Sequence, residues 1–333
     1  MRPLTAGELA TQLRLQTPVV QAGMGGGVAG GALAGAVSRA GGLGTVGIMA
    51  PPAFAAALAL ARRLAGDRPV AANLLVPFVR EAHVRACADE RAALVVLHGG
   101  LGRRWIARLR ERGLHVLVTV GTQREAEQAL AAGASGVVAQ GDEAGGHLLG
   151  VEPIERALPR ILAAAGDAPV LAAGGVAHAH DVARLLAQGA AAVVAGTRFL
   201  LTEESAANDE YKRRVASARS TIATDLFGVG WPLRHRVIAN AATERWCERD
   251  PHGPAPLRAA LRLSAPLGRL TPLRAMSGLA ALQRPALPLF TPAVPLAGMP
   301  EASVDRCALY AGETVTRLGD VLSAASALEQ LAP

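Results

Sequence analysis

The chain has 333 residues, of which 51% are hydrophobic and only 3% aromatic. That is enough apolar material for one large domain built on Ala, Val and Leu, and it argues against a disordered chain or an aromatic platform for nucleic acid. The net charge is +7, but Lys212 is the single lysine among 34 basic residues and the arginines are scattered, so no nucleic-acid partner is expected and the charge reads as composition.

The N-terminal stretch MRPLTAGELATQL lacks the apolar core of a signal peptide. Residues 15–38 are uncharged, but Pro18 and seven glycines interrupt them, which argues against a membrane helix. Cys87, Cys247 and Cys307 are far apart and form no C-x-x-C pair, so neither a disulfide framework nor a metal site is expected. A cytoplasmic protein with no membrane contact is the expectation.

From residue 17 onward one unit recurs. TPVVQAG (17–23) is the first apolar run, followed by GGGVAG (25–30) and an Ala-rich helical stretch. In SRAGGLGTVG (38–47), LRERGLHVLVTV (109–120), LAAGASGVVAQG (130–141) and LAQGAAAVVAGT (186–197), a helix-like stretch stops at glycine and an apolar run follows. AGDRPVAANLLVP (65–77) and AGDAPVLAAGGV (165–176) use proline as the stop, and AALVVLHGG (92–100) supplies one more run. Continuous apolar runs are the mark of strands buried on both faces. The eight starts fall near 18, 43, 69, 93, 115, 136, 169 and 191, with room for a crossover helix between each pair. Eight such units in about 200 residues predict a (β/α)8 TIM barrel of the α/β class. A doubly wound sheet is the alternative.

After Arg198 the pattern changes. TEESAANDEYKRRVASA (202–218) predicts a helix capped near Thr202. Residues 226–300 show no clear period and many Pro and Gly, and 309–331 returns to helical spacing. The division expected is a barrel over 1–222, a cap or insertion over 223–305, and a C-terminal helix over 306–333 that returns to the barrel.

GGGVAG matches a dinucleotide-binding glycine pattern, but no acidic residue lies between Glu8 and Asp67 to hold a ribose, so a Rossmann site is not favoured. Those glycines instead let backbone approach a flat ring or a phosphate. AAGGV (172–176) and AGTRF (195–199) end the last two strands, where barrels commonly build a phosphate site from backbone N–H groups. Asn73 and Gln140 are amides at the ends of apolar strands, either bonded within the core or touching a ligand. His147, behind Gly145 and Gly146 in AQGDEAGGHLLG, is the candidate for proton transfer or anion binding, with Asp142 and Glu143 either solvated or orienting the ring. The alternative is a surface-loop histidine. His98 lies on the same rim, His178 and His180 follow the seventh strand without a third metal ligand, and His83, His115, His235 and His252 have no such context.

PVVQAGMGGGVAGGALAGAVSRAGGLGTVG, AQGDEAGGH, APVLAAGGVAHAHDVARLLAQGAAAVVAGTRFLLTEESAANDEYK and LYAGETV together resemble the nitronate monooxygenase family. The resemblance covers residues 15–215 and the tail, and the same motifs occur in the FMN-dependent enoyl-[acyl carrier protein] reductases. It implies FMN in a TIM barrel. Ala22, Gly23 and Met24 would line the flavin ring, and Asn73, Gln140 and Gly145 its ring or ribityl region. Gly174, Gly175, Gly196 and Thr197 would hold the phosphate, and His147 would be the active-site histidine. The implied reaction is oxidation of an alkyl nitronate, or its parent nitroalkane, with O2 to a carbonyl compound and nitrite. The alternatives are an NAD(P)H-dependent reductase of enoyl thioesters or quinones and a non-catalytic flavin-binding barrel. A homo-oligomer is compatible with all three. The chain departs from the family in having Gly23 where proline is usual and His98 where an aromatic residue is usual.

Overall fold

The computed structural model describes residues 5–270 and 273–333. Eight parallel strands follow the predicted runs: β1 (Val19–Gln21), β2 (Gly44–Val46), β3 (Val70–Leu75), β4 (Leu94–His98), β5 (Val116–Val120), β6 (Gly136–Gln140), β7 (Val170–Ala173) and β8 (Ala192–Ala195). From β2 to β8 each strand pairs in parallel with the next in sequence, and β8 pairs with β1. A parallel bridge between Val20 and Leu43 closes the ring between β1 and β2, so the sheet is a TIM barrel.

That seam is thin, and Gln21 reinforces it. Its fully buried side chain donates to the Thr45 carbonyl at 3.1 Å and accepts from the Thr45 amide at 3.0 Å, replacing ladder bonds with an amide group. The buried strand residues divide into two layers. Val20, Leu43, Ala71, Leu94, Leu117, Val138, Leu171 and Ala192 form one cluster with Leu9 and Leu13, so the first helix, Ala6–Gln12, packs with that layer. The alternate strand residues pack with the surrounding helices in a second, larger cluster. The helix-stopping glycines act as their positions suggested: Gly133, for example, takes φ of 93° between the helix Gln123–Ala131 and β6.

Three segments differ from the sequence expectation. The predicted helix over 202–218 begins only at Asp209, with Asn208 as its cap, because the Thr202 hydroxyl donates to the Phe199 carbonyl and Glu204 accepts from the Ala324 amide. Residues 226–300 hold the helices Ala241–Cys247, Ala255–Leu270 and Leu273–Leu282, which their irregular spacing concealed. The helical spacing over 309–331 resolves into a 3-10 turn, Glu313–Arg317, and a short helix, Ala324–Glu329, because two ion pairs, each with its barrel-side partner buried, hold the tail in an irregular path. Arg198, 1% exposed, meets Asp320 at 2.7 Å, and Arg317 meets Asp181 at 2.8 Å. The helix Ala324–Glu329 then packs against the barrel helix Gly31–Arg39.

Ile222–Thr224 and His235–Val237 form an antiparallel pair, and Gly146–His147 adds to it as a third strand. The segment that follows the barrel thereby grips the loop that carries the candidate histidine.

Candidate active site

At the C-terminal ends of the barrel strands lies a cavity of about 560 Å³. Every residue that the resemblance assigns to the flavin or to catalysis lines it: Ala22, Gly23 and Met24 after β1; Asn73 on β3; Gln140, Gly145 and His147 from β6 and its loop; Gly174 and Gly175 after β7; Gly196 and Thr197 after β8. The strands alternate a Val or Ala wall with a polar residue at the mouth, and the loops supply backbone.

The polar side chains hold the loops to one another. Asn73 Nδ2 donates to the Gly23 carbonyl at 3.0 Å, and a side chain at position 23 would overlap Asn73, so the β1 loop and β3 fit only with glycine there. Gln140 Nε2 donates to the His147 carbonyl at 3.1 Å while its Oε1 accepts from the Leu149 amide at 2.8 Å. Both ends of the amide therefore fix the backbone around the histidine. Thr197 Oγ1 accepts from the Gly312 amide at 2.9 Å, and a Cβ on Gly145 would stand 2.5 Å from the Gly312 nitrogen. The tail thus lies directly over the β6 and β8 loops. Gly174 and Gly175 take φ of 122° and 68°, which only glycine adopts at low cost and which turns backbone rather than side chain toward the cavity.

The acidic pair does not orient the imidazole. Both Glu143 oxygens accept from the Ile154 amide, at 3.1 and 3.2 Å, and burial raises the Glu143 carboxyl above its ordinary range. The Asp142 carbonyl accepts two bonds from Arg236, at 2.7 and 3.1 Å. His147 is instead set by rings. Trp231 stacks on it with centroids 3.7 Å apart and planes 19° apart, and His235 and Tyr310 each lie 5.2 Å away. Burial first, then the neighbouring His235 and His98, pull its pKa well below 6.5, so the ring is neutral at pH 7. Burial also brings His98 and His235 down to about 4.

Two atoms of lining residues, His147 Nε2 and Thr45 Oγ1, are shielded without any hydrogen-bond partner in the protein. Buried polar groups are normally paired, so such atoms mark where a ligand completes the bonding. A volume in the usual range for cofactor sites, glycine-lined walls and these two atoms suit a flat, polar-edged ring system with an anionic tail. Among the described lining residues Glu143 carries the only formal charge, so an anion in this cavity would meet backbone amides and no cationic side chain.

The profile of the nitronate monooxygenase family matches residues 8–84 and 78–333. The chain belongs to this family. A nitronate monooxygenase from Paraburkholderia phytofirmans is 31% identical, over 73% of this chain and 79% of its own. A Mycobacterium tuberculosis protein named (3aS,4S,5R,7aS)-5-hydroxy-7a-methyl-1-oxo-octahydro-1H-indene-4-carboxyl-CoA dehydrogenase is 34% identical, over 71% of this chain and 67% of its own. Among solved structures, the nitroalkane oxidase of Streptomyces ansochromogenes superposes with a TM-score of 0.74 at 28% identity, covering 97% of this chain and 96% of the other. As a member of the nitronate monooxygenase family, the chain is a flavin-dependent oxidoreductase. No described helix is long and apolar enough to cross a membrane.

Sequence reasoning missed three residues whose rings surround His147: Trp231, His235 and Tyr310. His235 has no local context in the sequence, yet it lies 5.2 Å from His147 because Gly146–His147 pairs with His235–Val237. No local pattern carried that signal. Tyr310 stood in the LYAGETV motif and could have been taken from it.

Proposed function

We propose that the chain binds FMN and oxidises small alkyl nitronates, or their parent nitroalkanes, with O2 to a carbonyl compound and nitrite. The observation that carries this reading is the neutral, unpartnered His147 Nε2 at a cavity lined by all the motif residues, in a chain of this family.

Ala22, Gly23 and Met24 would flank the ring, with Asn73 and Gln140 at its polar edge and Gly145 beneath the tail. The backbone of Gly174–Gly175 and Gly196–Thr197 would receive the phosphate. The raised pKa of Glu143 beside Gly174 and Gly175 is in the direction that reduces repulsion there. Bound flavin supplies the electron-accepting and oxygen-reactive chemistry. The chain's part is to place the substrate and handle its proton. A neutral imidazole takes the α-proton of a nitroalkane at Nε2, or in its other tautomer donates a hydrogen bond to a nitronate oxygen. Trp231, Phe78 and Met24 keep the surroundings apolar, which strengthens that contact.

The test is anaerobic mixing of the purified, flavin-loaded protein with ethyl nitronate, propionate 3-nitronate, NADH and NADPH in separate runs. Bleaching by a nitronate, and nitrite on admitting air, is expected, and His147→Ala should slow nitroalkane turnover by at least about a hundredfold. Bleaching by a nicotinamide alone would overturn the reading. That outcome would favour the reductase alternative, to which the similarity with a carboxyl-CoA dehydrogenase points.

A further inference from the structure

We infer that Trp231 sets the length of substrate that reaches His147, so that the site takes short alkyl chains. The inference rests on the proposed reaction for the identity of the substrate head group, but not for the shape of the space.

Trp231 comes from the irregular stretch between Ile222–Thr224 and His235–Val237, outside the barrel, yet it is only 7% exposed. Its indole covers one face of the His147 ring at 3.7 Å. It also meets Phe78 edge-on, with centroids 5.5 Å apart and planes 85° apart, and His98 at 6.3 Å and 83°. Those neighbours follow or end β3, β4 and β6, so the indole is wedged across the mouth of the barrel.

The fit against β4 is close. A Cβ on Gly99 would stand 2.6 Å from Trp231 Cζ2, inside any real contact, and Gly99 also takes φ of 84°. The barrel thus leaves a side chain out at position 99 where the segment after it puts a tryptophan in. Packing at this density does not stretch. With one face of the imidazole covered, a substrate reaches His147 past its edge, and any chain extending toward Phe78 and His98 must displace the indole. The adjacent strand pairing of Gly146–His147 with His235–Val237 fixes the distance between the histidine and this wall.

The experiment compares wild type, Trp231→Phe and Trp231→Ala as flavin-loaded proteins on straight-chain nitronates from ethyl to octyl. The quantity read is the ratio of kcat/KM for hexyl nitronate to that for ethyl nitronate. In wild type the ratio should be low, and Trp231→Ala should raise it at least about tenfold, with Trp231→Phe between them. A ratio in Trp231→Ala within about twofold of wild type overturns the inference. Far-UV circular dichroism and flavin content report folding, and if Trp231→Ala does not fold, Trp231→Phe and Trp231→Leu carry the comparison. Should wild type oxidise no nitronate, the proposed reaction fails separately. The length limit is then read by titrating the flavin band with straight-chain alkyl amides, where the same tenfold shift in relative Kd is expected and its absence overturns the inference.

Discussion

His235 provides a measurable proton linkage. It is fully buried, its Nδ1 lies 2.9 Å from the Leu233 carbonyl, and its Nε2 lies 3.3 Å from the Phe227 amide nitrogen. A carbonyl can only accept and an amide N–H can only donate, so Nδ1 carries the hydrogen and Nε2 accepts. A second proton has no place: it would face the Phe227 N–H. Burial accordingly lowers this pKa from 6.5 to about 4. Between those values the unfolded chain binds the proton and the folded chain does not, so stability is flat above pH 6.5 and falls as pH drops through the window. Each unit is worth about 1.4 kcal/mol, which makes the loss at pH 5 about 2 kcal/mol from this residue. That is a sizeable part of a typical domain stability of about 5–15 kcal/mol. The assay is urea unfolding at pH 7.5 and pH 5.0 for wild type and His235→Gln. Glutamine can accept from Phe227 and donate to Leu233 without titrating, so the variant should lose about 2 kcal/mol less between the two pH values, whatever its stability at pH 7.5. An equal loss in both proteins would refute the assigned tautomer and burial.

Other perturbations test the site more directly. Gly174→Ala puts a Cβ at φ of 122° and 3.1 Å from Glu143 Cδ, and should leave a folded protein whose flavin content, read from absorbance after gel filtration, falls at least about tenfold. Arg236→Met removes both bonds to the Asp142 carbonyl, one to Thr221 and the 3.0 Å pairing with Glu313, and should cost about 3 kcal/mol in thermal or urea unfolding. Gln140→Leu frees the backbone of His147 and Leu149 while keeping the apolar volume, and should lower kcat at least about tenfold with an unchanged circular dichroism spectrum. An unaltered kcat would show that the loop is held by the three-stranded sheet alone.

The barrel was legible because its signals are local. A strand buried on both faces needs an unbroken apolar run, and the helix before it needs a residue such as Gly133 that ends it, so the repeat is written in adjacent residues. The glycine-lined wall of the cavity was legible for the same reason, since Gly174, Gly175, Gly196 and Thr197 sit directly at strand ends. The errors came where the deciding partner is remote. Thr202 and Glu204 read as the first turn of a helix, but Glu204 is claimed by the Ala324 amide, 120 positions away. The tail has helical spacing, but the Arg198–Asp320 and Arg317–Asp181 pairs reward a different path.

The same division separates the two halves of the site. The barrel makes the cavity and the glycine loops, but His147 acquires its surroundings from parts of the chain that follow the barrel. Trp231 covers its face, and His235 pairs with its backbone and lowers its pKa. Tyr310 stands beside it, on a tail whose next two residues close over Gly145 and Thr197. Arg236 ties the two arrangements together, holding the Asp142 carbonyl of the barrel loop and Glu313 of the tail from one guanidinium. Changes in the segment after the barrel can therefore alter what reaches the histidine while the glycine loops of the barrel stay as they are. Members of a family with one barrel and one set of glycine motifs can then act on different substrates, because the motifs line one side of the cavity and the segment after the barrel shapes the space beside it.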